Sequence, residues 1–222
     1  MKDVMERFIA EVDRDRIKAC VREAERRTRG EIVVMLVPAS HDYPMAAMLG
    51  AAAVSFPAAV ALTPVLGRMF WAGPSNMWIF LGILISLFLG CHAVIRRVHT
   101  LKRLFIREEE MAAEVREGAQ IQFFRKGLYR TREETGVLIY ISVLERQVWI
   151  LADRGIHAAV DETRWKEIAA ATARAIRDGQ PAEGICRAVE EVGRILSEKF
   201  PAGPDDRNEL VDVVVENDMR RS

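Results

Sequence analysis

Two long apolar stretches limit what this chain can fold into. Residues 43–67 contain no charged side chain, and in residues 69–95 only His92 can carry a charge. Each stretch is longer than the roughly 20 residues that a membrane-spanning helix needs. A buried helix of a soluble protein can also be apolar, but two such stretches separated by Arg68 alone are difficult to bury in a domain of this size. We therefore expect a transmembrane helical hairpin.

The predicted hairpin covers residues 43–97, with spans at about 43–67 and 77–97. Small residues at helical spacing allow helices in lipid to approach closely, so we expect the small faces of the two spans to pack against each other. These faces consist of Ala47, Ala51, Ser55 and Ala59 in the first span, and of Gly82, Ser86 and Gly90 in the second.

The orientation of the hairpin follows from its flanks. The connector between the spans contains Arg68 as its one basic residue. Basic residues flank the spans: Arg22, Arg26, Arg27 and Arg29 precede the first span, and Arg96, Arg97, Lys102, Arg103 and Arg107 lie at and beyond the end of the second. The positive-inside rule therefore predicts that both termini lie in the cytoplasm and the connector outside. Residues 1–30 are densely charged and lack the apolar core of a signal peptide.

Charge and motifs exclude several classes of function. The chain has 32 basic and 32 acidic residues, so no overall field attracts nucleic acid, and we expect no nucleic-acid partner. The cysteines Cys20, Cys91 and Cys186 are odd in number and far apart, which favours free thiols over a disulfide or a metal site. The sequence has no G-x-S-x-G motif and no glycine-rich phosphate loop, and it predicts no catalytic residue.

Patterns of strands and helices surround the hairpin. The run EIVVMLV (Glu31–Val37) is apolar on both faces, which is typical of a strand buried in a sheet that helices cover. After the hairpin we expect a charged helix over Val98–Lys126, then strands Val137–Val143 and Gln147–Ala152 joined by a tight turn at Leu144–Arg146. Two amphipathic helices follow.

The order of these elements predicts an α/β fold. A strand, a crossover and a second strand normally form a right-handed parallel unit. We therefore expect the second strand to pair parallel with the first, and the third strand to lie antiparallel beside the second. The α/β domain then consists of residues 1–40 and 98–200, with residues 201–222 as a polar C-terminal tail.

Six short motifs, in this order, resemble the TPM domain, a family named for a thylakoid-lumen protein, a photosystem II accessory protein and a receptor modulator. The resemblance covers about Phe8–Leu210, with the hairpin as an insertion. Its motif positions include Gly30, Gly136, Gly155 and Trp165. The motifs are T-x-G-E-I-V-V (Thr28 to Val34), F-F-x-x-G-L-Y-x-T (Phe123 to Thr131), T-G-V-L-I-Y-I-S (Thr135 to Ser142), A-D-R-G-I (Ala152 to Ile156), Trp165, and F-P…N-E-L (Phe200, Pro201, Asn208 to Leu210).

The resemblance implies a small Rossmann-like α/β sandwich, here split by the transmembrane hairpin. It is strongest to the bacterial membrane-anchored branch, which implies an integral protein of the bacterial inner membrane. Some relatives in the family are reported as acid phosphatases or calcium binders, and others as accessory factors for membrane complexes. Exported relatives tend to have an acidic, glycine-rich turn where this chain has Ala-Asp-Arg-Gly at residues 152–155.

The predicted sheet brings carboxylates to one edge. Glu31 begins the first strand where Asp153 ends the third, and we expect Glu134 or Asp161 to lie nearby. Clustered carboxylates suit a hard cation such as Ca²⁺ or Mg²⁺, which could activate water or polarise a phosphoryl oxygen. Glu31, Asp153 and Asp161 are therefore candidate metal ligands. The alternative is that these are ordinary charges at strand ends, some of which cap helices.

Two functions remain open at this point. The chain is either a non-enzymatic, membrane-anchored accessory or interaction module with a membrane or envelope protein as its partner, or a metal-dependent phosphatase that uses the acidic edge. The absence of a recognisable catalytic constellation favours the first.

Overall fold

The computed structural model describes residues 14–69, 76–131, 134–203 and 213–215. The chain divides into two compact units. The sheet unit comprises Met1–His41 and Met111–Ser222, and the helical unit comprises Asp42–Glu110. The helical unit therefore extends beyond residue 97, where the predicted hairpin ends.

Thirteen elements follow one another along the described residues, counting the 3-10 turn at Leu128–Arg130. They are α1 (Arg14–Glu25), β1 (Glu31–Val37), α2 (Pro44–Met69), α3 (Asn76–Arg97), α4 (His99–Arg103), α5 (Glu108–Arg125), the 3-10 turn, β2 (Gly136–Ser142), β3 (Gln147–Ala152), α6 (Arg154–His157), α7 (Glu162–Arg177), α8 (Pro181–Lys199) and β4 (Val213–Val215).

The four strands form one sheet in the order β3-β2-β1-β4. β1 and β2 are parallel and in register from Glu31 opposite Gly136 to Val37 opposite Ser142. β3 is antiparallel to β2, as the sequence predicts. The predicted α/β fold and its split central pairing are thus confirmed.

The C-terminal tail requires a correction. The sequence predicts a polar tail over residues 201–222, apart from the apolar run Leu210–Val215, but Val213–Val215 forms β4 and pairs parallel with β1. Three consecutive valines lose little conformational freedom in an extended strand and pack well on a sheet surface. This short run therefore completes the sheet, although its neighbours in sequence are polar.

Helices cover both faces of the sheet and bury β1 completely. On one face the even-numbered residues of β1, such as Val34, pack with side chains of α1, α7 and α8. On the other face its odd-numbered residues, such as Met35, pack with α5 and the 3-10 turn. Successive side chains of a strand point to opposite faces of the sheet. Because helices cover both faces here, every residue of the central strand is buried, and its sequence is an unbroken apolar run.

A buried carboxylate fixes the turn between β2 and β3. Glu145 is fully buried and accepts hydrogen bonds from the backbone N–H of Ser40, at 2.9 Å, and from the hydroxyl of Ser142. The N–H of Leu144 also donates to the carbonyl of Pro38 at 3.0 Å. The turn is therefore tied to the chain that leaves β1. The sequence predicts the turn but gives no sign that its acidic residue is buried.

The expectation of three free thiols is wrong for one pair. Cys20 of α1 and Cys186 of α8 form a disulfide, with their Cα atoms 5.7 Å apart, whereas Cys91 is free. The two cysteines are 166 residues apart in sequence, and only the packing of α1 against α8 brings them together. Their spacing in the sequence therefore carries no sign of the pairing.

In the helical unit, α2 and α3 are both long and apolar enough to cross a membrane. The small face of α2 is buried as expected, since Ala51 and Ser55 have no exposed surface. The small face of α3 is not, because Gly82 and Gly90 have no heavy atom within 4 Å of an added Cβ. The predicted pairing of two small faces is therefore wrong. Larger side chains of α3, including Phe88 and Ile95, pack against the small side chains of α2 instead.

The charged helix predicted over Val98–Lys126 is interrupted. α4 ends at Arg103, and α5 begins at Glu108 after a short turn. Three consecutive glutamates, Glu108 to Glu110, occupy the first turn of α5, where negative charge interacts favourably with the helix dipole. The sequence also predicts that Asp13 caps α1 and that Trp71 lies at a membrane interface, but both residues lie outside the described part of the chain.

The two strand-edge glycines should differ in their tolerance of alanine. A Cβ at Gly136 would lie 2.6 Å from the backbone oxygen of Leu128, whereas a Cβ at Gly30 would lie 2.7 Å from Cδ1 at the flexible end of Leu196. We expect Gly136→Ala to lower the free energy of unfolding by about 2–3 kcal/mol, because the backbone must move. Gly30→Ala should cost clearly less. Denaturant unfolding of the full chain in detergent measures both, and equal losses would contradict the geometry.

Candidate functional site

The amino ends of β1 and β2 bring two acidic residues to one edge of the sheet. Glu31 lies opposite Gly136, and the carbonyl of Gly136 accepts a hydrogen bond from the N–H of Asp153 at 2.9 Å. Glu31 and Asp153 are 7 % and 8 % exposed. The structure therefore places Glu31 on one side of Gly136 and Asp153 on the other, at the edge that the sequence predicts.

Both carboxylates lie on the face of the sheet that α5 covers. Residues of one parity share a face of a strand, and the odd-numbered residues Met35 and Leu151 pack in the core beside α5. Glu31 begins β1 and Asp153 directly follows β3, and both continue the odd-numbered series of this face. Gly136 between them carries no side chain, and the backbone oxygen of Leu128 occupies the space where its Cβ would be. A carbonyl oxygen thus lies between the two acidic positions.

One of the two carboxylate oxygens of Asp153 has a structural role. Its Oδ1 accepts the N–H of Arg154 at 2.7 Å and caps α6. The charged residues Asp153 and Arg154 are therefore at the start of a short helix, and Gly155 lies within it. The second oxygen, Oδ2, is buried and has no hydrogen-bond partner among the described residues. A buried carboxylate oxygen without a donor is costly.

Asp161 is used differently. It is the N-cap of α7, where its carboxylate accepts the N–H of Thr163 at 3.0 Å. The hydrogen bonds from Thr163 and the nearby charge of Lys166 lower the pKa of Asp161 below its ordinary value. This capping role is the alternative that the sequence leaves open for such residues.

The carboxylates do not converge in the described part of the chain. No group of three or more histidine, cysteine, aspartate or glutamate residues is placed there to hold a metal ion. Glu134, in a left-handed backbone conformation, forms a long ion pair of 3.9 Å with Arg154, and both side chains are mostly exposed. Such a pair contributes little. A cation site made by Glu31, Asp153 and Asp161 therefore stays a prediction.

Threonine side chains account for the motifs that flank this edge. The hydroxyl of Thr28 accepts the N–H of Gly30 and donates to the carbonyl of Phe200 at 2.7 Å. The hydroxyl of Thr135 donates to the carbonyl of Arg29. These bonds satisfy backbone groups that enter or leave the strands. The threonine and glycine positions of the motifs are thus explained by folding alone, without a ligand.

Trp165 is part of the core. It is 4 % exposed and packs with α8 and the sheet. Its Nε1 is buried without a hydrogen-bond partner among the described residues. The structure therefore supports a packing role for this motif residue.

Comparison with known families identifies the domain. The family model described as the TPM domain matches residues 94–195. The match includes β2, β3 and most of the helices of the sheet unit, and it confirms the resemblance that the sequence motifs suggest.

A solved structure has a similar fold. The NMR structure of the BA42 protein from the psychrophilic bacterium Bizionia argentinensis is 20 % identical in sequence, with a TM-score of 0.52. The alignment covers 89 % of this chain and 90 % of that chain. At this level of identity the likeness shows the fold alone. Comparison with the curated proteins finds no match.

The capping role of Asp161 predicts how substitutions and pH affect stability. Asp161→Ala should lower the Tm near neutral pH, whereas Asp161→Asn should keep most of the cap. Because the folded-state pKa of Asp161 is lowered, its stabilisation is complete above the ordinary value of 3.8 and is lost as the pH falls through the folded-state pKa. The difference in Tm between the wild type and Asp161→Ala should therefore shrink in acid. A difference that grows in acid would contradict this role.

Proposed function

On the premise that the chain carries a TPM domain, we propose that it is a membrane-anchored, non-enzymatic accessory module for a membrane or envelope complex. One observation carries the proposal. The two apolar helices are inserted in the sequence between β1 and β2, which are paired partners in the sheet. An anchor at a chain terminus can be removed by one cleavage, but this anchor cannot be lost without interrupting the central pair of strands.

The surface of α2 and α3 supports a membrane environment. Large apolar side chains are exposed along both helices, including Leu49, Phe56 and Val65 on α2 and Ile85 and Leu89 on α3. In water such a surface costs about 25 cal/mol for each Å². Lipid removes that cost, and monomeric soluble proteins rarely expose continuous apolar patches of this kind.

The partner is proposed to be another membrane or envelope protein. An accessory role agrees with the finding that no group of three or more histidine, cysteine, aspartate or glutamate residues in the described part of the chain is placed to hold a metal ion. Affinity capture of the tagged full chain from detergent-solubilised membranes tests it. We expect a defined membrane or envelope protein to copurify, and the chain to remain in the membrane after an alkaline wash. Release of the chain from the membrane by the alkaline wash would overturn the proposal. So would purification of the chain without a partner, if that chain also hydrolyses a substrate.

We propose that both termini face the cytoplasm of a bacterial cell, because basic residues flank the hairpin on that side. Glutathione and thioredoxin keep most cysteine pairs reduced in this compartment. We therefore expect Cys20 and Cys186 to be alkylated when cells are lysed with N-ethylmaleimide, although the structure joins them. An impermeant thiol reagent should label Ser75→Cys in intact cells. Complete formation of the disulfide between Cys20 and Cys186, together with no labelling of Ser75→Cys in intact cells, would place the sheet unit outside the cytoplasm.

A second function is favoured by Asp153. Its buried Oδ2 has no donor among the described residues, and a bound Ca²⁺ or Mg²⁺ would compensate it. We propose the edge of Glu31 and Asp153 as the site of this alternative, a metal-dependent phosphatase of the acid type. Metal-bound water would supply the nucleophile.

Asp153→Asn separates the two functions, because asparagine caps a helix as well as aspartate does but carries no charge. The accessory function predicts that added Ca²⁺, Mg²⁺ or Mn²⁺ leaves the Tm unchanged and that a generic phosphomonoester is not hydrolysed. The phosphatase predicts metal-stimulated turnover and a metal-dependent rise in Tm that Asp153→Asn abolishes. That second pattern would overturn the non-enzymatic proposal.

A further inference from the structure

The outer edge of β3 carries backbone groups that no described residue binds. β3 lies at one edge of the sheet and pairs on one side only, with β2. The N–H of Asp153 bonds to Gly136, and bonding residues alternate in an antiparallel pair. Gln147, Trp149 and Leu151 therefore bond to β2. Val148, Ile150 and Ala152 direct their backbone N–H and C=O groups away from the sheet.

An open groove of about 580 Å³ follows this edge. β3 forms its floor, Arg116 and Gln120 of α5 form one wall, and α7 forms the other. The wall from α7 includes Ala169 and Ala173, whose short side chains leave the groove wide. Natural proteins usually cover or charge an exposed strand edge, because it pairs readily with other chains. Here all six residues of β3 line the open groove.

The rim of the groove is basic. Arg116, Arg146, Lys166 and Arg177 line it, whereas Glu162 is the one acidic residue among the described lining residues. Glu162 already forms an ion pair with Lys166 at 3.0 Å. The guanidinium of Arg116 lies 5.7 Å from the ring centre of Trp149 on the floor. The net positive charge thus favours an acidic occupant.

We propose that the groove binds an extended acidic peptide segment of a partner protein, which adds to the sheet as a strand beside β3. Main-chain hydrogen bonds to Val148, Ile150 and Ala152 supply affinity, and the basic rim selects acidic side chains. β3 is six residues long, which corresponds to about 20 Å of extended peptide. The inference deepens the accessory function, since it names the binding surface and the chemistry of the partner.

A synthetic probe tests strand addition without changing the protein. The probe is a labelled peptide of alternating valine and glutamate, with blocked ends, titrated against the full chain in detergent by fluorescence polarisation. Two versions of the probe are N-methylated at every second residue, one at the valines and the other at the glutamates. In one version the methyl groups replace the N–H donors that face β3, and in the other they replace the donors that face solvent. We expect one methylated peptide to lose binding and the other to retain it. Equal binding of both would overturn strand addition.

Two variants of α7 test the charge of the rim. Arg177 lines the groove, whereas Arg174 is an exposed arginine in the same last turn of the helix that does not line it. Arg177→Glu should weaken binding of the acidic probe about tenfold. Arg174→Glu, which alters the helix dipole in the same way, should leave binding nearly unchanged. Equal effects of both variants, or tighter binding of a valine–lysine probe, would contradict the proposed partner.

The remaining outcomes separate this inference from the accessory function. No saturable binding of the acidic probe up to about 1 mM overturns the groove proposal. If a membrane protein still copurifies with Arg177→Glu as with the wild type, the accessory function stands and its surface lies elsewhere. Concentration-dependent dimerisation that prevents binding of the probe would show that a second copy occupies the edge, which also overturns the proposal.

Discussion

The pairing of β1 with β2 is the interaction on which the rest of the structure depends. β1 leaves the sheet unit at Val37, and the chain returns only after the whole helical unit to form β2 in register with it. Closing so long a loop costs conformational entropy, which grows slowly with loop length. The apolar faces of both strands compensate this cost, because β1 and β2 are buried along their full length. The helical unit is therefore inserted in the sequence between two strands that pair with each other in the core of the sheet.

The two ends of this strand pair are stabilised by different means. At the amino end, threonine hydroxyls satisfy the backbone beside Gly30 and Gly136, and Asp153 caps α6. At the carboxyl end, the buried carboxylate of Glu145 joins the β2–β3 turn to Ser40. These polar side chains thus bond to backbone groups, whereas Val148, Ile150 and Ala152 direct backbone groups away from the sheet at the edge of β3.

The sequence predicts the local features of the fold well and the long-range ones incompletely. The run Glu31–Val37 has a single interpretation, because only a central strand is apolar on both faces. The disulfide between Cys20 and Cys186 and the burial of Glu145 depend on helices and turns meeting across more than a hundred residues, which no local pattern encodes. The helical unit shows the same limit. Small residues on α2 and α3 indicate close packing but not which face of each helix is used.

The acidic edge could be located from the sequence, but its chemistry could not. Strand ends alone place Glu31 and Asp153 near Gly136, whereas the capping bonds of Asp153 and Asp161 need the helices that follow. Hydrogen exchange of the full chain, followed by mass spectrometry, tests the central pairing most directly. We expect the amides of Glu31–Val37 to be protected as strongly as those of Gly136–Ser142 and to lose protection with them. Rapid exchange of β1 while β2 stays protected would contradict the pairing of two strands that the helical unit separates in sequence.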